Sequence, residues 1–116
     1  MKIDFTIPLT DLNGVSLRAW VTRKNGEGSP VFEIENKFFV EVVEEELTVG
    51  REVCRVLLNS DERDKTKMLH YGHLAKRIFD AGVLDLSIED VAIILDHCSK
   101  YSSILIYTQI YDLLNG

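Results

Sequence analysis

The spacing of apolar residues changes once along this chain. Up to about residue 46 it repeats at every second position, and beyond residue 47 at every third or fourth. Ile3, Phe5, Ile7 and Leu9 alternate with polar neighbours, Pro8 excepted, as on a half-buried strand. Pro8 cannot donate to a ladder, so this strand is expected to lie at a sheet edge or to end there. Asp11-Leu12-Asn13-Gly14 is turn chemistry, because Asn-Gly suits positive φ. Leu17, Ala19 and Val21 then mark a second strand, with Trp20 on its other face. Residues 24–30 (KNGEGSP) read as a loop, the stretch most open to proteolysis. Residues 31–35 and 37–43 read as a hairpin about Glu35-Asn36-Lys37, with Phe32 and Ile34 in phase and Phe38, Val40 and Val42 in phase.

The helical half has clear punctuation. Thr48 is placed to N-cap a helix through about Leu58, whose apolar stripe is Val49, Val53, Val56 and Leu57. Asn59-Ser60-Asp61 breaks it. A second helix is expected from about Asp61 or Arg63 to Ala81, closed by Gly82. Ser87-Ile88-Glu89-Asp90 opens a third by a capping-box-like arrangement, with Val91, Ile94, Leu95 and Cys98 on its buried face. Ser102-Ser103 restarts the chain into a last helix ending near Asn115. In that segment Ile104, Leu105, Ile106, Tyr107, Ile110, Tyr111, Leu113 and Leu114 occupy nearly the whole circumference. A helix apolar all round has to be covered all round, so it is expected at the centre of the core. The alternative is a partner or self-association surface through Ile104, Tyr107 and Tyr111.

Together these elements predict an α+β fold, a small N-terminal antiparallel sheet packed against three or four C-terminal helices. One domain over residues 1–116 is expected, strand-rich over 1–46 and helical over 47–116, with no internal repeat. A chain of 116 residues buries roughly two-thirds of its unfolded surface, enough for a core without metal or disulfide staples. Cys54 and Cys98 sit in apolar helical segments without CxxC spacing and read as reduced core thiols of a cytoplasmic protein, a single disulfide being the alternative. Asp4 and Pro8 interrupt the apolar start, so no secretory signal is expected, and the longest apolar run, residues 104–107, is far too short to cross a bilayer.

Candidate chemistry changes this picture little. His70 and His73 lie one helical turn apart, and Asp96, His97 and Cys98 could add metal ligands from the next helix. That requires Cys98 to leave its apolar stripe, so the histidines are read as edge positions of a helix face carried by Met68, Leu74 and Ile78, and no metal or cofactor is expected. Nothing brings a cysteine, a histidine and an acid together, and phosphate-loop, dinucleotide, HExxH and EF-hand motifs are missing from the sequence, so no catalytic residue is assigned. A net charge of -6, with 19 acidic against 13 basic residues, disfavours non-specific nucleic-acid binding. The local basic residues that would carry such binding are Arg51, Arg55, Lys76 and Arg77. A helix-turn-helix reading across residues 81–83 puts Glu89, Asp90 and Asp96 on its recognition helix, where they would repel phosphate.

The opening MKIDFTIPLTDLNG, the segment TVGREVCRVLL, the run HLAKRIFDAGVLDLSIEDVAIILDHCSKY and the closing TQIYDLLNG resemble a group of small bacteriophage and prophage proteins to which no activity is assigned. The corresponding positions are Thr48 to Gly50, Leu74 to Ile78, Leu86 to Ile94 and Gln109 to Leu114; the region 17–46 is longer here than in that group. The resemblance implies a phage accessory protein acting in the host cytoplasm or on a virion, and it carries no site residue. The expected function is non-enzymatic binding to a host or phage protein, to modulate it or to assist virion assembly. The alternative is a nucleic-acid-binding regulator. The surfaces expected to matter are the last helix and the sheet edge near Pro8.

Overall fold

Two side-chain caps set the helical half in place. The Thr48 side chain accepts from Arg51 N–H and Ser87 from Asp90 N–H, so the helices begin where their capping residues predict. The computed structural model describes residues 2–24, 32–34 and 38–115, with side chains outside 20–43. In chain order the elements are β1 (Lys2–Asp4), β2 (Arg18–Lys24), β3 (Phe32–Ile34), β4 (Phe38–Glu46), α1 (Val49–Leu58), α2 (Lys65–Ala81), β5 (Val83–Asp85), α3 (Ile88–Tyr101) and α4 (Ile104–Asn115). The arrangement is α+β. The loop expected over 24–30 and the turn at 35–37 lie, Lys24 apart, outside the described residues.

β2, β4 and β3 form a three-stranded antiparallel sheet in the order 2-4-3, with Phe32 opposite Val40 and Ile34 opposite Phe38. β1 pairs with β5, Ile3 opposite Leu84. That second sheet was not expected. Three residues carry no usable periodicity, and the partner strand is eighty positions away.

The strand expected through Leu9 ends early. Ile3, Phe5 and Leu9 are buried but Ile7 is exposed, because Asp4 bonds the Thr6 N–H and hydroxyl and the chain turns there. Nor is the segment around Pro8 an open edge. Val49 N–H donates to Ile7 O, Leu9 N–H donates to Leu47 O, and Leu17 N–H donates to Leu9 O. Across the molecule, the Gln109 side-chain amide donates to Thr10 O (2.7 Å) and accepts from Thr10 N–H (2.9 Å), pinning this segment to α4.

The core collects one stripe from each helix. Val53 and Val56 of α1, Leu74 and Ile78 of α2, Ile94 and Cys98 of α3, and Ile110 and Leu114 of α4 are buried with Phe5 and Leu9. Burying each such side chain fully is worth about 1.5–3 kcal/mol. α2 starts later than expected, at Lys65, because side chains ahead of it compete for backbone donors. Glu62 accepts from Arg63 and Asp64 N–H, and Asp64 caps Thr66 and Lys67. At its other end Gly82 adopts φ 70°, which a side chain would strain.

The central position expected for α4 is not what the fold adopts. Only Ile110 and Leu114 are fully buried, Leu105, Ile106, Tyr107 and Leu113 are half-buried, and Ile104 is 86% exposed. α4 packs chiefly on α3 and is covered on one side.

Candidate functional site

α1 and α2 run antiparallel, and each carries more apolar surface than the core takes up. On α2 the core receives Leu74, Ala75 and Ile78. Lys65, Met68, Leu69, Gly72, Lys76 and Phe79 recur at spacings of three, one, three, four and three residues and form a second, outward stripe. Phe79 is 73% exposed, Leu69 61% and Met68 52%, so the expectation that Met68 shares the buried face with Leu74 and Ile78 is corrected. On α1, Arg51, Cys54 and Leu58 stand one turn apart, with Leu58 66% exposed.

These two stripes border a row of three shallow hollows, together the seam. At one end a hollow of about 220 Å³ lies between α1, the end of α2 and the N-terminal segment, lined by Phe5, Thr6, Thr48, Gly50, Arg51, Ile78, Phe79 and Gly82. The middle, about 200 Å³, is almost purely apolar and is lined by Cys54, Leu58, Gly72, Ala75, Lys76 and Phe79. The far end, about 100 Å³, is formed by Leu57, Leu58, Ser60, Glu62, Met68, Tyr71 and Gly72. Phe79 joins the first two segments, and Leu58 and Gly72 join the last two. Each hollow is smaller than an ordinary small-molecule site of about 300–1,000 Å³, whereas together they make a long shallow groove. Cys54 in its wall donates to Ala75 O at 3.2 Å, and burial pushes its thiol up to about 11, so it contributes apolar surface and not a nucleophile.

Gly72 sits at the middle of the groove floor. A Cβ built there would meet nothing within 4 Å. In a helix interior glycine costs about 0.5–1 kcal/mol relative to alanine, and no packing contact requires it here. Gly50 is the opposite case. A Cβ there would come within 3.0 Å of Phe5 O, so the close crossing of the N-terminal segment over α1 demands it.

The basic residues do not form one free cationic face. Arg51 pairs with Glu45, Arg55 is gripped by both Glu52 oxygens (2.6 and 3.0 Å) and also donates to Tyr101 O, and Arg77 lies 3.9 Å from Asp90. Lys76 lies beside the groove. Ile104, Tyr107 and Tyr111 share one side of α4, with the two tyrosine rings 6.1 Å apart.

The histidines divide. His70 Nε2 meets Asp90 Oδ1 at 3.1 Å with half of its side chain exposed, and His73 is exposed. His97 is buried on α3. Its Nδ1–H donates to Ile93 O (2.8 Å), which leaves Nε2 to accept from the Ser60 hydroxyl at 3.0 Å. The Tyr71 ring stacks edge-on against that imidazole at 4.6 Å. A serine bonded to an imidazole is the starting geometry of a nucleophile and its base, but here the orienting group is a carbonyl of the same helix and the ring lies beneath Tyr71. The pair ties the 59–64 connection to α3. Among the described residues no three His, Cys, Asp or Glu side chains gather where they could hold a metal ion.

No family model, curated protein or solved structure matches this chain. Among the described residues no helix is long and apolar enough to cross a membrane. Sequence reasoning passed over Gly72, Leu58, Leu69 and Phe79, although a signal was present. Leu58 and Phe79 each directly follow a core residue, Leu57 and Ile78, and so are out of phase with the buried stripe, and a glycine sits in the middle of a helix.

Proposed function

We propose that this chain is a non-enzymatic protein-binding module whose docking surface is the α1/α2 seam. The observation that carries the reading is Gly72, a mid-helix glycine that no contact in the fold requires, at the centre of an open apolar groove. Exposed apolar patches with a polar rim mark interaction sites, and a groove between two helices is the shape that receives a helix or an extended segment. With the phage origin that the sequence resemblance implies, the partner is a host or phage protein, bound for modulation or for virion assembly.

The test is a comparison of variants as affinity baits in phage-infected bacteria. A partner held by the parent chain and by Ile104→Ser, but lost from both Phe79→Ser and Gly72→Leu, supports the seam. A partner lost from Ile104→Ser and kept by the other two would move the surface to α4. That second reading has its own support in the exposure of Ile104 and Tyr111. It predicts that Tyr107→Ala with Tyr111→Ala lowers the sedimentation coefficient of a folded protein. The nucleic-acid reading is weakened by the carboxylates that face Arg51 and Arg55 and by Asp90 near Arg77. A DNA gel shift at low salt would revive it.

A further inference from the structure

The turn at residues 11–15 is built on a dipeptide that is chemically unstable. We infer that Asn13 is a site of spontaneous deamidation, with the Gly14 backbone nitrogen as its nucleophile and Asp11 as the restraint on the reaction.

The chemistry needs only water. The Gly14 nitrogen gives up its proton and attacks Cγ of Asn13. A new C–N bond closes a five-membered succinimide, the Cγ–Nδ2 bond breaks, and the amide leaves as ammonia, taking the proton with it. Water then opens the ring at either carbonyl. One product is aspartate; the other, with the backbone rerouted through Cγ, is isoaspartate. Three conditions favour the sequence of steps: no side chain beside the attacking nitrogen, access to water, and a carboxamide free to swing back onto the chain.

Asn13–Gly14 meets all three. Both residues are exposed, and a Cβ built on Gly14 would meet nothing within 4 Å. Gly14 adopts φ 81°, so the turn requires glycine there, and that requirement leaves the nitrogen unshielded. The Asn13 carboxamide makes no hydrogen bond among the described residues. Asn59 and Asn115 differ. Each donates Nδ2 to the carbonyl four residues back, Arg55 O (2.8 Å) and Tyr111 O (3.0 Å). Asn115–Gly116 is therefore the same dipeptide with its carboxamide held. A third copy, Asn25–Gly26, lies outside the described residues.

The restraint comes from Asp11. One of its carboxylate oxygens accepts from Asn13 N–H (2.8 Å) and Val15 N–H (3.0 Å), and its carbonyl accepts from Gly14 N–H (3.1 Å). That last bond occupies the attacking nitrogen, so each attack waits on a local opening of the turn. Isoaspartate adds one atom to the backbone inside the ring that these bonds close, and they cannot all re-form around it. Thr10 and Ser16 pair at the base of the turn, and Thr10 is the residue that Gln109 grips from α4. The lengthened backbone therefore loosens the tie between the N-terminal segment and α4.

The experiment holds the full chain in mildly alkaline buffer, with and without urea, and follows each asparagine by peptide mass mapping. In the folded chain Asn13 is expected to convert several-fold faster than Asn59 and Asn115, each event making the protein one charge more negative. Asp11→Ala should speed conversion of Asn13 several-fold with unchanged circular dichroism, whereas Asp11→Asn, which keeps an accepting oxygen, should stay close to the parent. In urea the lead of Asn13 over Asn115 should shrink, and Asp11→Ala should react as the parent does. The purified isoaspartate form should exchange its Thr10 and Val15 amide protons faster than the parent, while Asn13→Asp, whose backbone is intact, should not. An Asn13 that stays whole in the folded chain but converts in urea would overturn the site. Asp11→Ala reacting at the parent rate would overturn the restraint, and unchanged exchange in the isoaspartate form would overturn the loosening.

Discussion

α1 has two flanks of opposite character. Toward α3 and α4 it is sealed. Buried Glu52 accepts from Arg55 and from the Ser102 hydroxyl (2.6 Å), Arg55 reaches on to Tyr101 O, and Ile94, Cys98 and Ile110 close the space without exposed surface. Toward the outer stripe of α2 it is open, with Leu58 and Phe79 more than half exposed on either side of a glycine. Both flanks are lined by apolar residues of similar size. What separates them is satisfaction. On the sealed flank Glu52 is bonded to Arg55 and Ser102 and the apolar side chains are fully buried, whereas on the open flank apolar groups remain exposed. Apolar surface that a fold leaves uncovered, next to a residue that the fold does not need, is where function is to be sought.

The largest effect that separates the flanks is a cavity. Ile110→Ala removes a fully buried side chain and should cost about 2–5 kcal/mol in urea denaturation, while Phe79→Ala on the open flank should stay within about 0.5 kcal/mol. Comparable losses for the two would erase the distinction. Next in size is the polar seal. Glu52→Ala leaves Arg55 and Ser102 without their acceptor and should cost about 2–3 kcal/mol, less than for a fully buried pair because Arg55 is half exposed to water. A neutral result would mean that the network is ornamental.

Thiol chemistry sharpens the comparison more gently. Burial and the nearby Glu52 push Cys98 up to about 12, and burial pushes Cys54 up to about 11. Because both folded values lie above that of an unfolded thiol, their neutral forms contribute stability that is complete below about pH 8.5. That contribution is lost as the pH climbs through 11 and 12. Alkylation at pH 8 should be slow at both sites, with Cys54 in the groove wall reacting before the buried Cys98. Faster reaction at Cys98 would mean that the sealed flank opens more readily than the seam.

Much of this architecture was legible from residue types acting locally. Thr48 and Ser87 announce their helices because a hydroxyl one residue ahead of a helix satisfies an orphan N–H, and Val49, Val53, Val56 and Leu57 repeat at the helical period. The features that stayed hidden depend on distant partners. β5 exists because β1 lies beside it, Gln109 holds a backbone ninety-nine residues away, and Glu52, Asp90 and His97 are polar residues buried by contacts between elements. The position of α4 misled for a related reason. A helix apolar all round says that it needs cover but not how much of that cover its own chain supplies. The seam lies between these cases, since Gly72 and the off-phase Phe79 could be read as anomalies, yet only the packing shows that no described residue fills the space.

The most direct test compares the two glycines by denaturation of Gly50→Ala and Gly72→Ala. The account predicts opposite signs. Gly50→Ala forces a Cβ to within 3.0 Å of Phe5 O and should destabilise the fold, whereas Gly72→Ala should stabilise it by about 0.5–1 kcal/mol. A loss of stability in Gly72→Ala would show that the fold requires this glycine, and the case for an unfilled docking seam would fail with it.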